Sequence, residues 1–407
     1  MKANKLTLIY GLLFFSTFQL VAQPMERIVS GVSINRLERY AHFIKDEIAA
    51  NKIPGAVTLI MRNGNIVQEA AYGYSDASRK TPMKADDIFY MQSMTKPIMT
   101  VAFMMLYEEG NFLLTDPISK YIPAFKNMRV SKNVNAGMTG ETDSLANDIT
   151  IAQILSHTSG LTHGLGANAL EKDFRQTYYA YPFAKDIQGM IERMTKIPMI
   201  GQPGKQWNYS AGLDVLSSLI EKFSGMNTND FLNERIFKPL GMVNTGYNLS
   251  DAQVARVVKV HGMGGVLEPN QPISKGQTIW FGSNALYSTA RDYMEFCQML
   301  MNGGTWKGKQ YLSRKTIELM TSNQVGSLYS VSKKGEGFGF GFAVVTDVAD
   351  TKLLGSQGLF YWSGANNTHF FIDPKEKLIS IFLTQQVPYN NFYHVKMRQM
   401  VYQAIAD

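Results

Sequence analysis

The chain has 407 residues, 45% of them apolar and 18% charged, with a formal net charge of +7. Single cores stop growing near ~250–300 residues, so this length implies two domains or one composite one, and the composition excludes a disordered chain. Basic residues are scattered, the longest run being Lys333-Lys334, which reads as a solvated surface and excludes a nucleic-acid partner.

At the start, Lys2 and Lys5 precede an apolar stretch from Leu6 to Val21, with Ala22-Gln23-Pro24 as the processing point. Residues 1–22 therefore read as a cleaved export signal, and the mature chain as periplasmic or secreted. Gly11, Ser16, Thr17 and Gln19 interrupt the stretch, which is short for the ~20 residues of a membrane span. No stable membrane insertion is expected once it is removed.

Apolar residues then recur at helical spacing from Ser33 to Asn51 (Leu37, Tyr40, Ala41, Ile44, Ile48), and Pro54-Gly55 ends that helix. Ala56 to Met61 and Ile66-Val67 flank Asn63-Gly64, a hairpin signal because both turn residues must adopt positive φ. Helix signals dominate from about 88 to 300: Pro97 to Glu109, Ile149 to Ser156 and Leu213 to Phe223. Asn133 to Asp148 reads as an exposed loop. In the last third, Phe338 to Thr346, Thr368 to Ile372 and Leu378 to Thr384 read as strands, Asp373-Pro374-Lys375-Glu376 as a turn and His394 to Ala406 as a closing helix. Strands at both ends with helices between them imply an α/β (α+β) fold. Its antiparallel sheet is built from 27–87 and 280–407, flanked by helices, with 88–279 inserted as a mainly helical domain.

The chemistry concentrates in Met91-Gln92-Ser93-Met94-Thr95-Lys96-Pro97. Ser and Lys three apart on a helix share a face. Proline is tolerated only in the first helical turn, so Ser93 should sit at or just before the helix N-terminus, where the dipole favours developing negative charge. A serine hydroxyl attacks only once a base takes its proton, and a buried lysine can be neutral enough to do so. The spacing recurs in Ser330-Val331-Ser332-Lys333, within a loop-like stretch, so context and further motifs must separate the two. Those motifs are Trp207-Asn208-Tyr209-Ser210-Ala211-Gly212-Leu213-Asp214 and Gly358-Leu359-Phe360-Tyr361-Trp362-Ser363-Gly364-Ala365. The second reads either as a tight turn around Gly364 or as an edge strand whose amide forms half of an oxyanion hole.

In this order and at these separations, the three motifs resemble the serine β-lactamase and penicillin-binding-protein superfamily, closest to class C β-lactamases and the β-lactamase-fold carboxylesterases. Leu155-Ser156-His157-Thr158-Ser159-Gly160-Leu161, Asp116-Pro117 and Ser288-Thr289-Ala290-Arg291-Asp292 support the likeness. The resemblance implies Ser93 as nucleophile, Lys96 as its proton partner and Tyr209 as base, then acid. It implies backbone amides of Ser93 and Ala365 as the oxyanion hole, and Trp362-Ser363-Gly364 as substrate-binding residues where the family has Lys-Thr-Gly. Ala211 and Trp362 depart from the lactamase pattern and shift the expected substrate from lactam to ester.

The expected activity is therefore that of an exported serine hydrolase acting through an acyl-enzyme on small esters or amides. The alternatives are a β-lactamase, a D-amino-acid peptidase, or a sensor that is acylated without turnover. No cofactor and no metal are expected: the histidines show no His-Glu-x-x-His pairing, and His157 is expected to bond a loop backbone. An α/β-hydrolase is excluded because no serine sits in a Gly-x-Ser-x-Gly elbow. The one cysteine, Cys297, lies in an apolar helical run and reads as core.

Overall fold

The structure, a computed structural model, describes residues 26–407; the export signal expected over 1–22 lies outside the described residues. Its framework is an eight-stranded antiparallel sheet. In chain order the strands are β1 (Gly55–Arg62), β2 (Asn65–Asp76), β3 (Thr81–Pro82), β4 (Glu336–Phe338), β5 (Ala343–Val345), β6 (Phe360–Gly364), β7 (Thr368–Asp373) and β8 (Leu378–Leu383). Their spatial order is β4-β5-β6-β7-β8-β1-β2-β3, so β8, late in the chain, pairs with β1 near its start.

Both faces of this sheet are covered. Ala56 and Ile60 of β1, Phe371 of β7 and Phe382 of β8 pack with Tyr40 and Ile44 of α1 (Ile34–Ala49) and with Met397 and Val401 of the closing helix Phe392–Tyr402. The alternate residues Val57, Leu59, Ile379 and Ile381 join the larger core on the other face. Side chains alternate along a strand, so burying both faces requires a near-continuous apolar run, and 56–61 is one. The β1–β2 turn follows the Asn-Gly signal, with φ of 51° at Asn63 and 77° at Gly64.

Between β3 and β4 the regular structure is mainly helical, joined by long loops. Two helices there position the site: α2 (Thr95–Glu108) and α3 (Leu213–Ser224), which ends in left-handed Gly225. Thr95 to Leu106 of α2 are all buried, as expected of a helix that is apolar around its whole circumference.

Three expectations need correction. Phe338 to Thr346 is not one strand: β4 and β5 form a hairpin across Gly339–Phe342, where Gly341 adopts a φ of 80°. Contiguous apolar residues hide such a turn. Residues 133–148 are not wholly loop, because Thr142–Ser144 pairs with Arg129–Ser131. The closing helix spans Phe392–Tyr402, starting and ending earlier than His394 to Ala406. Cys297 is fully buried, and desolvation pushes its thiol pKa up. No helix among the described residues is long and apolar enough to cross a membrane.

Candidate active site

Ser93 lies in a single 3-10 turn, Gln92–Met94, that feeds directly into α2. Gln92 is left-handed at φ 49°, which suits a sharp approach to a helix start and is uncommon for a residue with a side chain. The turn is tied down on two sides. Met91 N–H donates to the Leu286 carbonyl at 2.9 Å, and the Tyr293 hydroxyl donates to the Met94 carbonyl at 3.0 Å.

One helical turn on, Lys96 is 0% exposed. Its Nζ lies 3.3 Å from Ser93 Oγ and donates to the Ser283 carbonyl at 2.7 Å. Burial disfavours the ammonium and lowers the lysine pKa to about 7, while the Asp214 carboxylate opposes that shift. Ser283 lies between the two: its own N–H donates to Asp214 Oδ1 at 2.7 Å, and the Tyr178 hydroxyl donates to Asp214 Oδ2 at 2.7 Å. Asp214 is itself fully buried, and burial raises its pKa against these hydrogen bonds.

Tyr209 arrives on the loop preceding α3. Asn208 N–H donates to the His157 carbonyl at 2.8 Å, Asn208 Nδ2 to the Leu161 carbonyl at 2.7 Å, and Ala211 N–H to the Thr162 carbonyl at 3.0 Å. The Ser210 N–H donates to His157 Nδ1 at 3.3 Å. The Ser156–Leu161 motif is thus the cradle that holds the Tyr209 loop, and His157 bonds loop backbone as expected. Lys96 Nζ stands 4.5 Å from the centre of the Tyr209 ring. The buried tyrosine hydroxyl has no hydrogen bond of normal geometry, though Ser93 and Trp362 are near enough to favour its ionised form slightly. Burial outweighs them and pushes its pKa well above the ordinary value of 10.0. Of the two groups, only Lys96 is brought close to neutral-pH titration.

On the facing side, β6 brings up Trp362, Ser363 and Gly364. The β5–β6 pairing ends at Tyr361, so residues 362–364 present an open edge, whereas β7 stays paired through Gly364. The strand is an interior member of the sheet with a locally bare edge. A Cβ on Gly364 would run into the Met91 carbonyl and Thr368 Oγ1, so only glycine lets β6 approach the Ser93 turn this closely.

These parts meet in one cleft of about 410 Å³, lined by Ser93, Tyr209, Trp362, Ser363, Gly364 and Ala365. Leu165, Trp207, Tyr329, Tyr361 and Tyr389 complete walls that are largely aromatic. Trp362 lies 5.5 Å from Tyr209 and 5.3 Å from Phe338, centre to centre. His163 stacks on Tyr209 at 5.3 Å and 10°, and burial, helped by Lys96, lowers its pKa to about 3. Ser330 binds the Ser327 carbonyl at 2.9 Å and is absent from the cleft wall, although Lys333 of the same tetrapeptide reaches it. Sequence reading missed Asp214 as a charged neighbour of Lys96, and missed Ser283, His163 and the distant aromatic walls. Asp214, Trp207 and Tyr361 did leave a trace, because they stand in the quoted motifs, with no role assigned to them there.

The comparisons bear on the family and the fold. Esterase EstB of Burkholderia gladioli is 25% identical over 357 residues, covering 82% of this chain and 86% of that protein. An uncharacterized protein of Mycobacterium tuberculosis is 30% identical over 365 residues, 85% of this chain and 89% of its own. Among solved structures, EstCE1, a hydrolase with promiscuous acyltransferase activity, superposes with a TM-score of 0.78 at 24% identity, covering 90% of this chain and 99% of that one. Simvastatin synthase (LovD) from Aspergillus terreus does so at 0.76 and 21%, covering 90% and 98%. With residues 40–404 matching its family model, the chain belongs to the Beta-lactamase family.

Proposed function

We propose that the protein is an exported serine hydrolase that cleaves small carboxylic esters through an acyl-enzyme on Ser93. The observation that carries this is Ser93 Oγ at 3.3 Å from the Nζ of a lysine whose pKa burial lowers to about 7. Neutral Lys96 takes the hydroxyl proton as Oγ attacks the carbonyl carbon. The backbone amides of Ser93 and Ala365 receive the resulting oxyanion at the open edge of β6. On collapse, the bond to the leaving oxygen breaks, and neutral Tyr209 gives that oxygen its proton and regains one from Lys96. Water then gives a proton to neutral Lys96 as its oxygen attacks the acyl carbon, and the bond to Ser93 Oγ breaks as Oγ takes that proton back, releasing the acid.

Esters are favoured over lactams because Trp362 and Ala211 stand where the lactamase-like pattern has a cation and an amide. A hydrogen bond to a charged group contributes ~1.5–3 kcal/mol, or roughly 10–150-fold in rate constant. The relative described as having acyltransferase activity makes an alcohol a second candidate acceptor, and the aromatic cleft walls suit an apolar one. The test is a panel of p-nitrophenyl acetate, p-nitrophenyl butyrate, a D-alanyl peptide and a cephalosporin on the mature protein. Aryl esters should give much the highest kcat/KM, and Trp362→Lys should move the ratio towards the lactam. Faster cephalosporin hydrolysis than ester hydrolysis by the wild type overturns the ester reading.

A further inference from the structure

Among the described residues, Lys333 is the one charged side chain lining the cleft that holds Ser93. It sits on the exposed turn before β4, so the cation missing at position 362, beside the scissile bond, has a counterpart at the outer wall. Lys333 also lines a second hollow, of about 290 Å³, that adjoins the first. The two share Ser332, Lys333, Tyr361 and Asn391.

The second hollow differs in chemistry from the first. Lys334 and Asp350 stand at its exposed rim, and Glu336 and His394 at its buried side. His394 is 2% exposed, stacks on Tyr361 at 4.3 Å, and has no hydrogen-bond partner at either ring nitrogen. A buried imidazole without partners is costly unless something supplies them. Glu336 does not cancel the lysines, because it is already engaged. The Tyr361 hydroxyl donates to its Oε2 at 2.8 Å, and the fully buried Arg398 guanidinium lies 3.8 Å from its Oε1. With Glu336 set against Arg398, Lys333 and Lys334 stand against the single carboxylate of Asp350, leaving a positive excess beside the aromatic cleft.

We propose that the two adjoining hollows form one bipartite site for esters with an apolar or aromatic body and a carboxylate at the end distant from the scissile bond, held by Lys333 and His394. The inference rests on the esterase reading for the chemistry at Ser93 and adds the substrate class. The carboxylate can belong to the acyl part or to the leaving alcohol, and paired substrates separate the two. p-Nitrophenyl hemiadipate against p-nitrophenyl hexanoate tests the acyl side; 4-acetoxybenzoate against its methyl ester tests the leaving side.

One of the two pairs should favour the anionic member in kcat/KM by roughly 5–20-fold, between an exposed ion pair and a buried charge-assisted hydrogen bond. The preference should reside in KM, fall at high salt, and disappear in Lys333→Gln. Binding of 4-phenylbutyrate against 4-phenylbutyramide, followed by Trp207 and Trp362 fluorescence, gives a readout that needs no turnover. Tighter binding of the carboxylate, lost in Lys333→Gln, supports the bipartite site even if every ester is inert, an outcome that would sink only the esterase reading. Equal binding of acid and amide, or a preference that survives Lys333→Gln, overturns it while leaving ester hydrolysis standing.

Discussion

Lys96 and Asp214 are bridged by one residue, Ser283, whose carbonyl accepts from Lys96 Nζ at 2.7 Å and whose amide donates to Asp214 Oδ1 at 2.7 Å. The buried lysine is thereby held near a buried carboxylate without a direct salt bridge. Burial alone would leave it less basic than it is, and the carboxylate restores part of its affinity for a proton. The pair sets where the proposed base becomes neutral.

The pH dependence follows from that balance. If neutral Lys96 is the base, kcat/KM should rise with pH to a plateau, with a midpoint near 7. Asp214→Asn keeps the shape and removes the charge that raises the lysine pKa, so its acidic limb should move to lower pH. A limb that stays in place, or moves up, contradicts the coupling. The stability consequence has a definite sign. The folded pKa of Lys96 is depressed below the ordinary 10.5, so the unfolded chain binds more protons between about 7 and 10.5. The lysine's contribution to folding therefore improves as pH rises through that window. Denaturant titrations of Lys96→Met against wild type should show that component of the slope missing.

Tyr209→Phe tests proton delivery. The hydroxyl has no hydrogen bond of normal geometry with the protein, so its removal leaves no partner stranded and the melting temperature should barely change. Turnover of esters with poor leaving groups should drop roughly 10²–10⁴-fold, the range of a general acid or base. Aryl esters with good leaving groups should lose less, since their oxygen departs with little help. Equal losses on both substrates, or none, would reduce the tyrosine to packing.

Gly364→Ala tests the close approach of β6 to the Ser93 turn. The added methyl meets the Met91 carbonyl and Thr368 Oγ1, so strand and turn must separate. Misplacement of a reacting group by ~1 Å costs on the order of 10²-fold, and kcat should fall by about that much. The variant should still fold, with fluorophosphonate labelling of Ser93 slowed in parallel. Unchanged kcat would show that the edge of β6 takes no part in the reaction.

The parts legible in the sequence are those written in local order. Ser93, Lys96 and Pro97 share one helical turn, the Asn63-Gly64 hairpin is two residues long, and the apolar run of β1 declares a strand buried on both faces. What escaped is written across the chain. Ser283 is 187 residues from Lys96, and nothing in its neighbourhood marks its carbonyl as the lysine's acceptor. The aromatic walls come from four separate segments around Trp207, Tyr329, Tyr361 and Tyr389, each an ordinary aromatic within its own segment. The β4–β5 hairpin escaped for the opposite reason: Phe340 and Phe342 are buried in its connection, so the apolar pattern runs on through the turn.

The central claim is that Ser93 becomes acylated, and mass mapping after exposure to excess aryl ester or a fluorophosphonate tests it directly. One adduct of acyl or phosphonyl mass is expected, on the peptide containing Ser93. Ser93→Ala should lose the adduct and roughly 10⁶-fold of turnover, the scale seen when a serine hydrolase loses its nucleophile. An adduct on another serine, Ser330 included, or turnover that persists in Ser93→Ala, would contradict the account.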